Sequence, residues 1–332
     1  MKLLYIFCLF ISLTMPALGQ FPPQAGVAGS TALPAGSSLF TAWAKDCSIQ
    51  RGFLNIDSPS LGYTSFGDSN LATGSADNSV VSLGDSGVAT LTFPGFIYNG
   101  PGPDFAVFEN GFVNPGNDSQ AFLELAFVEV SSDGEHFFRF PNQSLTQAET
   151  QIRGAGDYMY ANLINNLAGK YGNGYGTPFD LEELSGMAGL NLNMISHVRI
   201  VDVIGTTGTR ASPDSYGRTI NDPYPTSFPT GGFDLDAVGV INRLADAHVQ
   251  ENGRQLAFHI FPNPATTVLN IEAASPIAEY NVTIFSRSGN LLLQQDLMGR
   301  GAIDLDVLTP GLYFIHITDT NGNKCTEKLL RW

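Results

Sequence analysis

The chain has 332 residues, with 16 Lys and Arg against 31 Asp and Glu, a formal charge of −15 and only 14% charged residues. An acidic, sparsely charged chain excludes a nucleic-acid binder, which needs a basic surface, and 43% apolar residues exclude intrinsic disorder. The 36 Gly, 19 Pro and 23 Phe break the sequence too often for a helical bundle and point to an all-β protein, long enough for two domains.

Lys2 precedes an apolar run from Leu3 to Leu13, and Ala17-Leu18-Gly19 supplies a small-x-small cleavage motif. Residues 1–19 therefore read as a secretory signal peptide. The run is shorter than the ~20 residues of a membrane span, and no later run matches it, so no transmembrane segment is expected. Cys8 is an apolar filler inside this run. Cleavage leaves Cys47 and Cys325, too few for a disulfide framework, and both are expected to be unpaired.

Residues 20–244 alternate short apolar runs with turn clusters. Residues 83–93, 104–109, 121–130, 135–140, 197–204 and 234–241 read as strands. The run AFLELAFVEV (121–130) is apolar on both faces and suits a central strand. Only 145–154 and 157–169 have a plausible helical pattern. Strands of this number and spacing predict a jelly-roll-like antiparallel β-sandwich. Long Gly/Pro/Tyr loops at 170–178 and 206–230 are where binding is expected. Residues 245–256 are polar and lack alternation, as a linker does. Residues 257–332 return to alternating strands, with Ser288-Gly289 and Asn321-Gly322 as hairpin turns, and read as a small Ig-like β-sandwich.

This last segment resembles the type A C-terminal sorting domain of the type IX secretion system. The resemblance rests on Phe261-Pro262-Asn263-Pro264-Ala265, VLNI at 268–271, NVTIFSRSGNLLL at 281–293, IDLDVLTPGLYFIHI at 303–317 and the basic tail 324–332. It implies a Bacteroidetes-type source, export to the periplasm, and passage across the outer membrane by the type IX machinery, which would engage residues 257–332. The protein would then be released or held at the cell surface. Blocks 80–93, 99–112, 128–141 and 231–242 resemble a family of bacterial secreted cell-surface proteins, which implies extracellular placement and no particular activity.

Several carboxylates stand in apolar surroundings. Asp104 and Glu109 bracket a short strand, Asp234 and Asp236 share one face of another by the period of two, and Glu124 falls among Phe122, Ala126 and Val128 on a strand that reads as buried. A buried charge is costly unless paired or bound to a metal. Hard oxygen donors suit Ca²⁺, so Asp104, Glu109, Glu124, Asp234 and Asp236 are candidate ligands of a structural calcium. The alternative is that they cap turns or accept backbone hydrogen bonds.

There is no Gly-x-Ser-x-Gly or His-Glu-x-x-His motif, and the five His are scattered; no enzymatic centre is expected. A polysaccharide hydrolase using two carboxylates and an accessory nutrient-capture protein of an outer-membrane uptake system are the alternatives. Tyr158, Tyr160, Tyr171, Tyr175, Tyr216 and Tyr224, with Arg210 and Arg218, lie in or beside the long loops and are candidates for holding a carbohydrate or another small extracellular ligand, since Tyr offers an amphipathic ring at low entropic cost. The negative charge disfavours DNA, RNA and anionic membranes as partners. The expectation is a secreted, surface-displayed, non-enzymatic binding or adhesion protein.

Overall fold

A computed structural model describes residues 21–172, 174–244, 258–273, 279–286, 290–320 and 324–332. The signal peptide, the linker and the turns at 288–289 and 321–322 lie outside the described residues. The chain divides into two compact units, Met1–Asp246 and Ala247–Trp332. Both are built of antiparallel β-sheets; among the described residues there is no α-helix, only short 3-10 turns such as Ala161–Leu163 and Leu181–Leu184. Among the described residues, no helix is long and apolar enough to cross a membrane.

The first unit packs two six-stranded sheets face to face. One centres on Phe105–Glu109, flanked by Tyr175–Phe179 and Asp234–Val240; the other centres on Ile195–Asp202, flanked by Ala126–Ser131 and Val88–Ile97. The strands at 105–109, 126–131 and 234–240 are buried on both faces, which is why they read as continuous apolar runs rather than as alternation. Leu91, Val107, Val128, Val198, Ile200, Leu235 and Val238 fill the space between the sheets. Phe105 stacks on Phe179 with ring centroids 5.4 Å apart, and the edge of Phe140 closes on both. Each such ring removed from water contributes roughly 2–3 kcal/mol.

A smaller three-stranded sheet, Met159–Tyr160, Asn117–Phe122 and Phe112–Asn114, covers a second core of Ala121, Leu123, Leu125, Met159, Ile164 and Ile220. Here the structure departs from the single strand predicted over 121–130. Leu123, Glu124 and Leu125 are not strand, although all three are buried, and the segments on either side belong to different sheets. The break has local causes. Leu125 N–H donates to the Asp222 carboxylate at 2.7 Å instead of to a ladder partner, and Ala126 pairs with Ala168.

The helices considered over 145–154 and 157–169 do not form either. Asn221 donates its amide to the carbonyls of Gln147 and Thr150 and accepts from Ile152 N–H. Those backbone groups are thereby taken from any helical ladder.

The second unit pairs a three-stranded sheet (Phe258–Phe261, Val268–Ala273, Arg300–Asp304) and a four-stranded one (Glu279–Phe285, Leu291–Met298, Gly311–Asp319, Lys324–Arg331). Leu269, Ile271, Val282, Ile284, Ile303, Ile315 and Leu329 form its core. Ala265 is wholly buried; its N–H donates to Leu330 O at 2.8 Å and its carbonyl accepts from Trp332 N–H at 2.9 Å. Cys47 and Cys325 form no disulfide. Burial pushes the Cys47 thiol up to about 12, with nearby Arg51 opposing it, so this thiol is unreactive at neutral pH.

Candidate functional site

The five carboxylates proposed as calcium ligands fall into two groups. Asp104 is fully buried, but its oxygens are occupied: Gly100 N–H, the Asn242 amide and Leu181 N–H each donate at 2.8 Å. Asp236 accepts from Asp77 N–H at 3.1 Å and Asn78 N–H at 3.2 Å. Both therefore organise loops and leave the proposed ligand set. The face shared by Asp234 and Asp236 is also interrupted: the ladder to Phe105–Glu109 shifts register between Leu235 and Ala237.

Glu109, Glu124 and Asp234 act on one another through their charges, and two residues that sequence reasoning missed join them. Asp202 and Asp222 are 3% and 4% exposed. Glu124 is raised well above the usual carboxylate range by burial first, then by Asp234, Glu109, Asp222 and Asp202. Glu109 is raised by burial and by Asp234 and Asp236, against a hydrogen bond from Gly111 N–H. Asp202 and Asp222 shift the same way, burial again leading, and each feels the other or Asp85. Asp85, whose carboxylate accepts from Ile56 N–H, is pushed up to about 6 by burial. Asp202 stands in an apolar strand and was open to the same argument that singled out Glu124. Asp222 lies in a polar loop and gave no signal.

The donors available to this cluster are few. Asp202 accepts from Phe233 N–H and Ser86 N–H; Asp234 accepts from the Ser82 hydroxyl and the Asn110 amide. Glu109 Oε2 takes Gly111 N–H at 2.8 Å, while its buried Oε1 has no partner. By contrast, Glu129 is clasped by Arg139 and Arg199, whose guanidinium groups lie 4.0 Å over Phe127 and 3.8 Å over Phe137. Among the described residues, no such pair serves Glu124. Among the described residues, no three His, Cys, Asp or Glu side chains already stand where they could hold a metal ion.

The aromatic candidates separate as well. Tyr171 is fully buried, its hydroxyl 3.1 Å from Thr31 Oγ1, and Tyr224 is buried with its hydroxyl donating to Asn55 and Asp57. Neither presents a ring to a ligand. Arg210 pairs with Asp57 at 3.2 Å. Arg218 pairs with Asp214 at 2.9 Å and lies against the exposed Tyr216 ring. Tyr175 opens the strand Tyr175–Phe179, half-buried.

Tyr158 and Tyr160 belong to the small sheet. Residues opposed in an antiparallel ladder share a face, as do residues two apart on a strand. Tyr160 opposes Gln120, Phe122 opposes Phe112, and the Asn114 amide donates to Gln120 Oε1 at 3.0 Å. The Phe112 and Phe122 rings stack at 5.2 Å, with Tyr158 edge-on to Phe112 at 6.3 Å. One face thus carries four aromatic rings and two amides, with Phe112 and Tyr160 40% and 41% exposed. Ala121 and Met159 point the other way, into the core. Phe112 was missed because a single Phe after Asn110-Gly111 looks like core; only the register of the hairpin puts it on this face.

Comparison with known proteins identifies the C-terminal segment. Residues 259–331 match the family model described as the secretion system C-terminal sorting domain. The chain is thus marked for export by the type IX route, by way of the periplasm, to the outer cell surface or the medium. No curated protein sequence matches the chain. Among solved structures, a DUF3244 family protein from Bacteroides vulgatus with an immunoglobulin-like β-sandwich fold is 18% identical, covering 24% of this chain and 93% of that one, with a TM-score of 0.22. A β-glucuronidase from Ruminococcus gnavus is 12% identical over 88% of this chain and 44% of that one, TM-score 0.21. Latent PorU from Porphyromonas gingivalis is 11% identical over 77% of this chain and 19% of that one, TM-score 0.20. The chain spans less than half of the latter two. Scores of this size assign the first unit no activity.

Proposed function

We propose that the first unit is a surface-displayed, non-enzymatic carbohydrate-binding module with a jelly-roll-like sandwich as scaffold and calcium as a structural cofactor. The face of Phe112, Asn114, Gln120, Phe122, Tyr158 and Tyr160 carries this reading. Sugars present apolar C–H faces ringed by hydroxyls, and a platform of part-exposed rings beside two amides matches both features. Type IX export places that face where extracellular glycans are met. The hydrolase alternative is weakened by burial: Glu109 and Glu124 are 1% and 6% exposed, so a polymer has no open path to them, whereas the aromatic face is open.

A glycan array probed with the full chain tests the proposal. Binding to at least one glycan class is expected, and Phe112→Ala or Tyr160→Ala should weaken it several-fold to about tenfold, since stacked aromatic contacts are worth roughly 0.5–1.5 kcal/mol each. Tyr216→Ala, on a separate turn, should leave it unchanged. No binding, or binding indifferent to Phe112 and Tyr160, would refute this face as the site.

A further inference from the structure

A second aromatic surface forms where residues 53–66 meet the loop at 224–229. Phe53 opposes Tyr63 in an antiparallel bridge, and Leu54 N–H donates to Gly62 O at 3.0 Å. The two rings stack, with centroids 4.8 Å apart and planes 24° from parallel. Phe53 is half-buried, and its backbone exchanges hydrogen bonds of 3.1 and 2.9 Å with Asp85. Tyr63 is 59% exposed, so one side of its ring rests on Phe53 and the other meets water. The neighbouring loop is stitched to this hairpin. Ser65 N–H and Phe66 N–H donate to Pro229 O at 3.3 and 3.1 Å, and the Asn55 amide donates to Ser227 Oγ at 3.2 Å. Phe66 and Phe228 stand at that seam, both exposed.

The rim of the stack is polar and held from below. Tyr224 is buried; its hydroxyl donates to Asp57 Oδ2 at 2.6 Å and lies 2.8 Å from Asn55 Oδ1. Burial first, and then that hydrogen bond to Asp57, raise the Tyr224 hydroxyl above its ordinary value, so it stays a donor. The other oxygen of Asp57 lies 3.2 Å from Arg210 Nε, and both side chains are half in water. A carboxylate accepts hydrogen bonds and a guanidinium donates them. Adjacent hydroxyls on one sugar thus find an acceptor and a donor side by side, while the open Tyr63 ring offers an apolar platform for the C–H face. A protein partner would have to dry the Asp57–Arg210 pair, at a desolvation cost that its attraction need not repay. Sugar hydroxyls replace the water hydrogen bonds one for one.

We propose that the Phe53–Tyr63 stack and the Asp57–Arg210 pair form a second glycan-contact site, selective for uncharged sugars with adjacent hydroxyls. This rests on the reading of the first unit as a glycan-binding module, and adds to it a separate site and a ligand class. The formal charge of −15 turns away sugars that carry carboxylates or sulfates. Tyr224 is a positioning residue: it touches no ligand, but it fixes the carboxylate that orients Arg210.

Affinity electrophoresis of the full chain through gels holding a neutral glucan, a neutral mannan or polygalacturonate tests this. Retention is expected in at least one neutral gel and not in polygalacturonate. Tyr63→Ala and Arg210→Gln should each weaken it about two- to tenfold, while Tyr63→Phe, which keeps the ring, should preserve it. Tyr224→Phe should weaken retention as much as Arg210→Gln and add nothing to it in the double variant, because both act through one pair. If thermal melting shows that Tyr63→Ala does not fold, the exposed Arg210→Gln decides alone. Retention that survives both Tyr63→Ala and Arg210→Gln but falls in Phe112→Ala would sink this site and leave the glycan reading standing. No retention in any neutral gel would sink the site too, and a blank glycan array would take the underlying reading with it. Retention in polygalacturonate that depends on Arg210 would overturn the ligand class. Self-association that depends on Tyr63, seen by gel filtration without glycan, would overturn the site by giving its surface to a second copy of the chain.

Discussion

Lys170 is 3% exposed, and burial pulls its amine down to about 7 from an ordinary 10.5. Between those two values the unfolded chain holds a proton that the folded chain does not, so folding stability rises with pH across that window and is lowest below it. The rings of Tyr171 and Phe21 offset only part of the cost of the charge. Lys170→Met keeps the apolar stem and removes the charge; it is expected to stabilise the protein at pH 6 by about 2–4 kcal/mol, with the gain shrinking toward pH 10. Urea unfolding at several pH values checks it, and a gain that does not depend on pH would contradict the charge explanation.

The same residue scale shows what sequence could and could not reveal about the site. Glu124 was legible because a charge inside LELAF has no cheap place to go. Asp104 and Asp236 looked alike in sequence, yet they serve N–H groups of Leu181 and Asp77, 77 and 159 residues away along the chain. Those partners exist only in three dimensions. Tyr171 and Tyr224 likewise turned inward because Thr31, Asn55 and Asp57, far off in sequence, take their hydroxyls.

At the scale of elements, binary pattern located most strands, because burial on one or both faces writes itself into apolar spacing. It failed where side chains replaced ladder partners. The break at 123–125 and the non-helical 145–152 segment are both held by Asp222 and Asn221, adjacent residues in a loop that has no pattern of its own. Gly169 belongs to the same junction. Its φ is +79°, and a Cβ there would run into the Glu124 carbonyl, backbone that cannot rotate away. Gly169→Ala is therefore expected to cost more than about 2 kcal/mol, read by denaturant midpoint. Ala at Gly174, where φ is +81° but nothing lies within 4 Å, should cost only the backbone term of about 1 kcal/mol. Equal losses at the two positions would disprove the steric account.

For the whole molecule, the cations are distributed unevenly. Lys2, Arg287, Arg300, Lys324, Lys328 and Arg331 lie in residues 1–19 and the sorting domain, leaving 10 of the 16 basic residues elsewhere. The first unit is therefore poorer in cations than the full chain, and its interior carboxylates have correspondingly few internal partners. Removing residues 257–332 should leave the first unit folded but retained in the periplasm, as judged by fractionation and surface protease accessibility. Surface display without that segment would show that another signal carries export.

The contact between Ala265 and the last residues has a consequence for timing. Asn263 donates to Lys328 O and accepts from Leu330 N–H, so the Phe261–Ala265 motif waits for partners 65 and 67 residues further along. Closing so long a loop is slow relative to local pairing. Translation runs in one direction, so the first unit is complete before these partners exist. A chain cut short during synthesis would lack the stitched end and carry no finished address. The export signal thus doubles as a certificate that its cargo has been made in full.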